Sequence, residues 1–145
     1  MSATFAFLAL ALLAPPTLAQ QQVRAEEKPM KIRLTAGAKV LTATLLDNAT
    51  ARDFAALLPM TLTLKDYAST EKVSDLPRRL STKGAPSGAT PSVGDIAYYA
   101  PWGNLAIYYK DFDYSSGLIK LGKLDGDVEA LRAAGPIEVK VELAK

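Results

Sequence analysis

Histidine and cysteine are both missing from this 145-residue chain. Without them a Ser-His-Asp triad, a Cys-His nucleophile pair, a histidine general base and any Cys/His zinc site are excluded. Disulfides are excluded as well, so stability rests on an apolar core. Charge is scarce in excess: 17 Lys and Arg against 15 Asp and Glu leave a net +2. The signs are interspersed, and Arg78-Arg79 is the one adjacent basic pair. Nucleic acid, which calls for a basic patch or stripe, is not an expected partner. What remains for chemistry is carboxylates, Lys, Arg, Tyr and the hydroxyl residues.

The amino-terminal region lacks charge altogether up to Arg24. Phe5 to Ala14 is an almost unbroken apolar run, followed by Pro15-Pro16-Thr17-Leu18-Ala19. Small residues Thr17 and Ala19, three and one before Gln20, suit a secretory signal (1–19) cleaved near Ala19-Gln20. A membrane span needs roughly 20 apolar residues, and the two prolines interrupt sooner. The expected location is therefore periplasmic or secreted, with no stable membrane span after cleavage. Residues 20–29 are polar and aperiodic, a flexible leader, and 30–145 is long enough for one domain.

Within that domain, alternation dominates. Met30, Ile32 and Leu34 oppose Lys31, Arg33 and Thr35, and Leu41, Ala43 and Leu45 repeat the pattern after Ala36-Gly37, predicting a hairpin. Thr50-Ala51-Arg52-Asp53 has the shape of a capping box, and Phe54, Leu57 and Leu58 follow at helical spacing up to Pro59. Asn48-Ala49-Thr50 is a formal glycosylation sequon that reads here as turn and helix-start chemistry. Met60, Leu62 and Leu64 predict a third strand; Glu71–Ser74 and Arg78–Ser81 predict strand pieces or a turn around Pro77. Residues 83–93 are a Gly/Pro/Ser loop of the kind that often carries function. Leu118–Leu121 is strand-like, Val128 and Leu131 suggest a short helix ended by Gly135 and Pro136, and Ile137–Leu143 alternates as a last strand. The fold class expected is mainly β, a barrel or sandwich of about eight short strands with two short helices.

The segment Gly94–Tyr109, GDIAYYAPWGNLAIYY, holds the single tryptophan, Trp102, and Tyr98, Tyr99, Tyr108 and Tyr109 of the six tyrosines. Two β-prone runs, 95–100 and 104–109, flank a Pro101-Trp102-Gly103 turn, predicting a hairpin with aromatics on both faces. Ile96 and Tyr98 share one face, as do Leu105, Ile107 and Tyr109; Ala97, Tyr99, Ala106 and Tyr108 share the other. One set must fill the core, and the other, with Trp102 at the turn, is available for a site.

Other motifs lack their companions. Ser69-Thr70-Glu71-Lys72 matches Ser-x-x-Lys, yet neither Ser-Asp-Asn nor Lys-Thr-Gly occurs. Asp111, Asp113, Asp125 and Asp127 lack EF-hand spacing with a distal Glu and read as turn residues. Gly84 to Gly94 lacks the Lys-Ser/Thr of a phosphate loop. No metal and no cofactor is implied.

The order strand hairpin, short helix, strands, aromatic hairpin, Gly-rich return, helix and final strand resembles the cyclophilin-like barrel over residues 30–143. Thr50–Leu57 looks like the first cyclophilin helix. Gly122-Lys123-Leu124-Asp125-Gly126 is similar to the Gly-Lys-Val-x-x-Gly stretch that opens the second, and the Gly94–Tyr109 hairpin resembles that of a small bacterial group of cyclophilin-like proteins. The resemblance implies a closed barrel of about eight strands with two short α-helices. It carries over no catalytic residue. The family's Phe-His-Arg strand corresponds to Met60-Thr61-Leu62-Thr63-Leu64-Lys65, no Gln follows Gln22, and histidine is absent. The expectation is a non-catalytic domain that binds a small molecule or an extended, proline-containing peptide in a groove beside the aromatic hairpin. Arg78, Arg79, Tyr98, Tyr99 and Trp102 are its candidate contacts. The alternative is a divergent peptidyl-prolyl cis-trans isomerase. The barrier it must lower, ~18–20 kcal/mol, is lost amide resonance, so an apolar pocket and one arginine donor suffice without an ionisable base. A structural or protein-interaction module is the second alternative.

Overall fold

A computed structural model describes residues 29–145 of the chain. The expected signal segment and all but the last residue of the expected leader lie outside the described residues. Lys31–Ala36 (β1) and Lys39–Leu45 (β2) form the first hairpin, with Ile32 opposite Ala43 and Leu34 opposite Leu41. The turn between them uses Gly37 at φ 59°, a left-handed conformation open to glycine at no steric cost.

The helix α1 spans Ala49–Ala55 and starts earlier than a capping box at Thr50 would place it. Asn48 is the cap: its side-chain oxygen accepts the Ala51 N–H at 2.8 Å. Thr50 and Asp53 are thereby released for tertiary work. The Thr50 hydroxyl donates to Ser81 O at 2.7 Å and Asp53 Oδ2 accepts the Ser81 N–H at 2.7 Å, tying the helix to the 78–81 segment. That segment belongs to no strand.

Six further strands complete a closed antiparallel barrel: Met60–Tyr67 (β3), Glu71–Asp75 (β4), Asp95–Tyr99 (β6), Asn104–Tyr108 (β7), Leu118–Leu124 (β9) and Ile137–Leu143 (β10). The order round the barrel is β1-β10-β3-β4-β7-β6-β9-β2. Within the predicted 83–93 loop, Gly88–Ala89 (β5) pairs with Ser115–Ser116 (β8) outside the barrel. Strand β9 carries the Gly122-Lys123-Leu124 stretch compared above with a helix start. Gly122 is needed there because a Cβ would stand 2.9 Å from Leu45 Cα and closer still to Thr44 O.

The barrel has one helix, not two. The second expected helix is a single 3-10 turn, Glu129–Leu131. Leu131 N–H bonds to Val128 O at 2.9 Å and Arg132 N–H to Glu129 O at 3.1 Å, the tighter i to i+3 pattern. Beyond the turn Gly135 takes φ 94° and Pro136 follows, and the carbonyls of Ala133 and Gly135 accept the buried Lys72 ammonium at 2.8 and 2.7 Å.

Alternation assigns the two faces of the aromatic hairpin as predicted. Ile96, Tyr98, Leu105, Ile107 and Tyr109 join Ile32, Leu34, Leu64, Val139 and Val141 in the barrel core. Ala97, Ala106, Tyr108 and Leu118 form a second, smaller cluster on the outer face, against which Val73 and Tyr99 pack. Position parity on each strand therefore decides which residues a ligand outside the barrel would meet.

Candidate functional site

A pocket of about 280 Å³ lies on the outer face of β4, β7 and β6, beneath the Trp102 turn and the Phe112–Ser115 segment. Its depth has a local cause. Val73 of β4 and Ala106 of β7 are register partners, while larger side chains stand two residues away on either side: Glu71 opposite Tyr108 and Asp75 opposite Asn104. A small centre ringed by large neighbours leaves a hollow. Tyr67, at the end of β3, is paired with Glu71 and closes one side.

Five lining residues are aromatic: Tyr67, Tyr99, Trp102, Tyr108 and Phe112. Trp102 is 56% exposed, but its orientation is set. The turn is closed by Gly103 N–H on Tyr99 O at 2.9 Å, with Gly103 at φ 68°. The indole meets Tyr67 and Tyr99 edge-on, at centroid separations of 5.4 and 5.2 Å. In each pair the edge of one ring meets the face of the other, the arrangement the aromatic quadrupole favours.

The polar groups are few and short of partners. Glu71 is 8% exposed, and its Oε2 accepts the Thr70 hydroxyl at 2.9 Å. Burial pushes its carboxyl above the usual carboxylate range, against the hydrogen bonds from Thr70 and Tyr108, which favour the ionised form. Burial, reinforced by the Glu71 charge, raises the Tyr108 phenol. Asn104 is 6% exposed, and its Oδ1 is buried with no hydrogen-bond partner. No lysine or arginine lines the pocket. Lys72, next to Glu71 in sequence, points to the opposite face of β4 and is bound there to Asp66, Ala133 and Gly135.

The residues singled out from sequence fall in different places. Tyr99 and Trp102 line the pocket. Tyr98 is in the barrel interior and does not reach it; its hydroxyl accepts the Leu80 N–H at 3.1 Å. Arg78 makes a two-pronged bond to Asp53 at 2.9 and 2.8 Å, and this guanidinium, with the Ser81 N–H, holds the Asp53 carboxyl down to about 2. Arg79 donates to Ala100 O at 2.8 Å and lies under Gly103, behind the Trp102 turn. Tyr67, Glu71, Asn104 and Phe112 are lining residues absent from the candidate contacts, and Tyr108 lines the pocket from the face that alternation left available beside Tyr99. Parity was the available signal: Asn104 and Tyr108 share their strand face with Ala106, and Glu71 shares its own with Val73.

Comparison with known proteins gives the fold a context. A family model described as "Cyclophilin-like family" matches residues 34–142. The solution structure of a hypothetical protein from Archaeoglobus fulgidus superposes with a TM-score of 0.58, covering 82% of this chain and 99% of that one at 19% identity. That likeness is one of fold. No match was found among functionally curated proteins. The family match spans the barrel from β1 to β10, and the chain belongs to the cyclophilin-like family.

Proposed function

We propose that this protein is an exported binding domain that takes a small molecule, or one side chain of an extended peptide, in the pocket beside the aromatic hairpin, without catalysing a reaction. The observation that carries the reading is the buried, unpartnered Asn104 Oδ1 in a hollow ringed by aromatic side chains. A buried polar atom without a partner costs about 1–3 kcal/mol, and a ligand that bonds to it recovers that cost. An apolar pocket with a few convergent polar groups is the usual form of a small-ligand site.

Isomerisation of proline peptides has less support. It needs a donor held against the twisted amide, and both arginines are engaged elsewhere, Arg78 with Asp53 and Arg79 with Ala100 O. Export is supported by the uncharged apolar run Phe5–Ala14 followed by Thr17 and Ala19. An amino-terminal sequence beginning at Gln20 in protein recovered from the producing cells is the expected result.

Binding is read directly because Trp102 is the single tryptophan and lines the pocket. Its emission should change saturably with some members of a library of metabolites and short peptides. A flat response throughout would favour a structural role. A protease-coupled proline-peptide assay should show no acceleration.

A further inference from the structure

The chemistry of the pocket narrows the class of ligand. Its one formally charged lining residue is Glu71, buried between Tyr67 of β3 and Tyr108 of β7 in the cross-strand register. Among the described residues no cation is paired with it. The contrast with Asp95 on the same outer face is informative. Asp95 is similarly buried, yet Lys120 and Lys123 approach it at 3.1 and 3.7 Å. A buried carboxylate without a positive partner is costly, and burial accordingly raises its pKa.

Asn104 adds a second requirement. Its Oδ1 calls for a donor. A half-turn of the amide would present nitrogen instead, but no rotation changes the charge of Glu71, which sets the sign of the partner. The Trp102, Tyr67 and Tyr99 rings at the mouth are the third element, since ring faces attract cations and Trp does so best. An anion would meet Glu71 unfavourably, and a neutral apolar group would leave Asn104 Oδ1 without a donor and Glu71 without a counter-charge.

We infer that the pocket receives a protonated amine or guanidine head group, with N–H donors to Glu71 and Asn104 and its positive charge against the aromatic mouth. This rests on the binding reading above and specifies its ligand. A guanidinium fits especially well, being planar, able to stack on rings and able to bond a carboxylate with two donors.

The test titrates the full chain with n-butylguanidinium, n-butylammonium, butyramide and butyrate, following Trp102 emission and checking by calorimetry. The cations should bind about tenfold or more tighter than butyramide, the combined effect expected of a desolvated ring contact and a carboxylate partner. Butyrate should not bind. Glu71→Gln should abolish the preference for cations over butyramide while keeping a cooperative thermal transition. Trp102→Phe, followed by calorimetry alone, should keep the preference with weaker affinity. An acetylated and amidated Gly-Arg-Gly peptide distinguishes the sources: tighter binding than butylguanidinium assigns an arginine side chain of a peptide, equal or weaker binding a free small cation. Butyramide or a neutral proline tetrapeptide binding as tightly as the cations would overturn the inference and leave the binding reading standing. So would an unchanged preference in folded Glu71→Gln. No saturable response to cations, neutral probes or peptides would end both.

Discussion

The fully buried Lys72 ammonium lies 2.9 Å from Asp66 Oδ1, and its other two donors go to the carbonyls of Ala133 and Gly135. Asp66 in turn accepts the Tyr109 hydroxyl at 2.9 Å and the Gly135 N–H at 3.0 Å. The Lys72–Asp66 pair thus joins β3 and β4 to Tyr109, just after β7, and to the return to β10. Lys72→Met keeps the aliphatic stem and removes the donors, leaving two part-buried carbonyls and Asp66 without their ammonium partner. We expect it to lower stability by about 2–4 kcal/mol, since hydrogen bonds to a charged group contribute about 1.5–3 each. Chemical denaturation with a constant slope would measure this. A loss under half a kcal/mol would show that the carbonyls find other partners.

Tyr98→Phe isolates one buried hydrogen bond. The ring would stay packed, and the Leu80 N–H would lose its acceptor. The expected destabilisation is about 1–3 kcal/mol, with Trp102 emission and ligand response unaltered because Tyr98 is not in the pocket. A change in binding without a change in stability would contradict this placement.

Glu71 has a pH signature opposite in sign to that of Asp53. Burial raises the folded-state pKa of Glu71 above 4.5, so its ionisation opposes folding, fully once pH exceeds the folded value and not at all well below 4.5. The groups facing it are neutral: Tyr67 on β3, Thr70 before β4 and Tyr108 on β7. Glu71→Gln should therefore raise the thermal midpoint at pH 7, and the gain should vanish toward pH 4. Asp53, held at about 2 against an ordinary 3.8, contributes stability that is present above pH 4 and lost as pH falls through 2. A pH series of melting curves on the two proteins separates the effects.

The three-residue loop between β3 and β4 (68–70) holds Ala68 at φ 52° and Ser69 at φ 55°. Both are left-handed, the geometry in which hairpins prefer Asn-Gly, and an L side chain there costs about 1–2 kcal/mol. Ser69→Gly should stabilise the protein by about 0.5–1 kcal/mol in denaturant titration. A destabilisation would indicate that the serine side chain contributes more than its backbone costs.

At Gly122 the expected sign is reversed. A methyl group would press on the backbone of Thr44 and Leu45, which cannot yield without opening the β2–β9 seam. Gly122→Ala should cost about 1–3 kcal/mol, read by denaturation, with faster amide exchange along β2 and β9.

Much of this architecture was legible in the residues alone. Ile32 and Leu34, Leu62 and Leu64, and Val139 and Val141 alternate because a barrel strand has one wet and one dry face, and period two in sequence records it. The same parity separated Tyr98 from Tyr99. Local signals were weaker where tertiary bonds competed. Val128 and Leu131 carry a helical spacing, but the chain makes one 3-10 turn there and then bonds the buried Lys72 ammonium through Ala133 O and Gly135 O. Thr50 and Asp53 suited a capping box until Ser81 and Arg78 claimed them.

The pocket belongs to the tertiary structure. Missing histidine and cysteine excluded whole chemistries, and Trp102 marked a region, from sequence alone. Strand order then placed Glu71 between Tyr67 and Tyr108, and Asn104 beside Tyr99. The 67–73 group and the 99–115 group are distant along the chain, and no local pattern encodes their meeting. Barrel closure brought them together, because cross-strand register is set by which hydrophobic faces must be buried together.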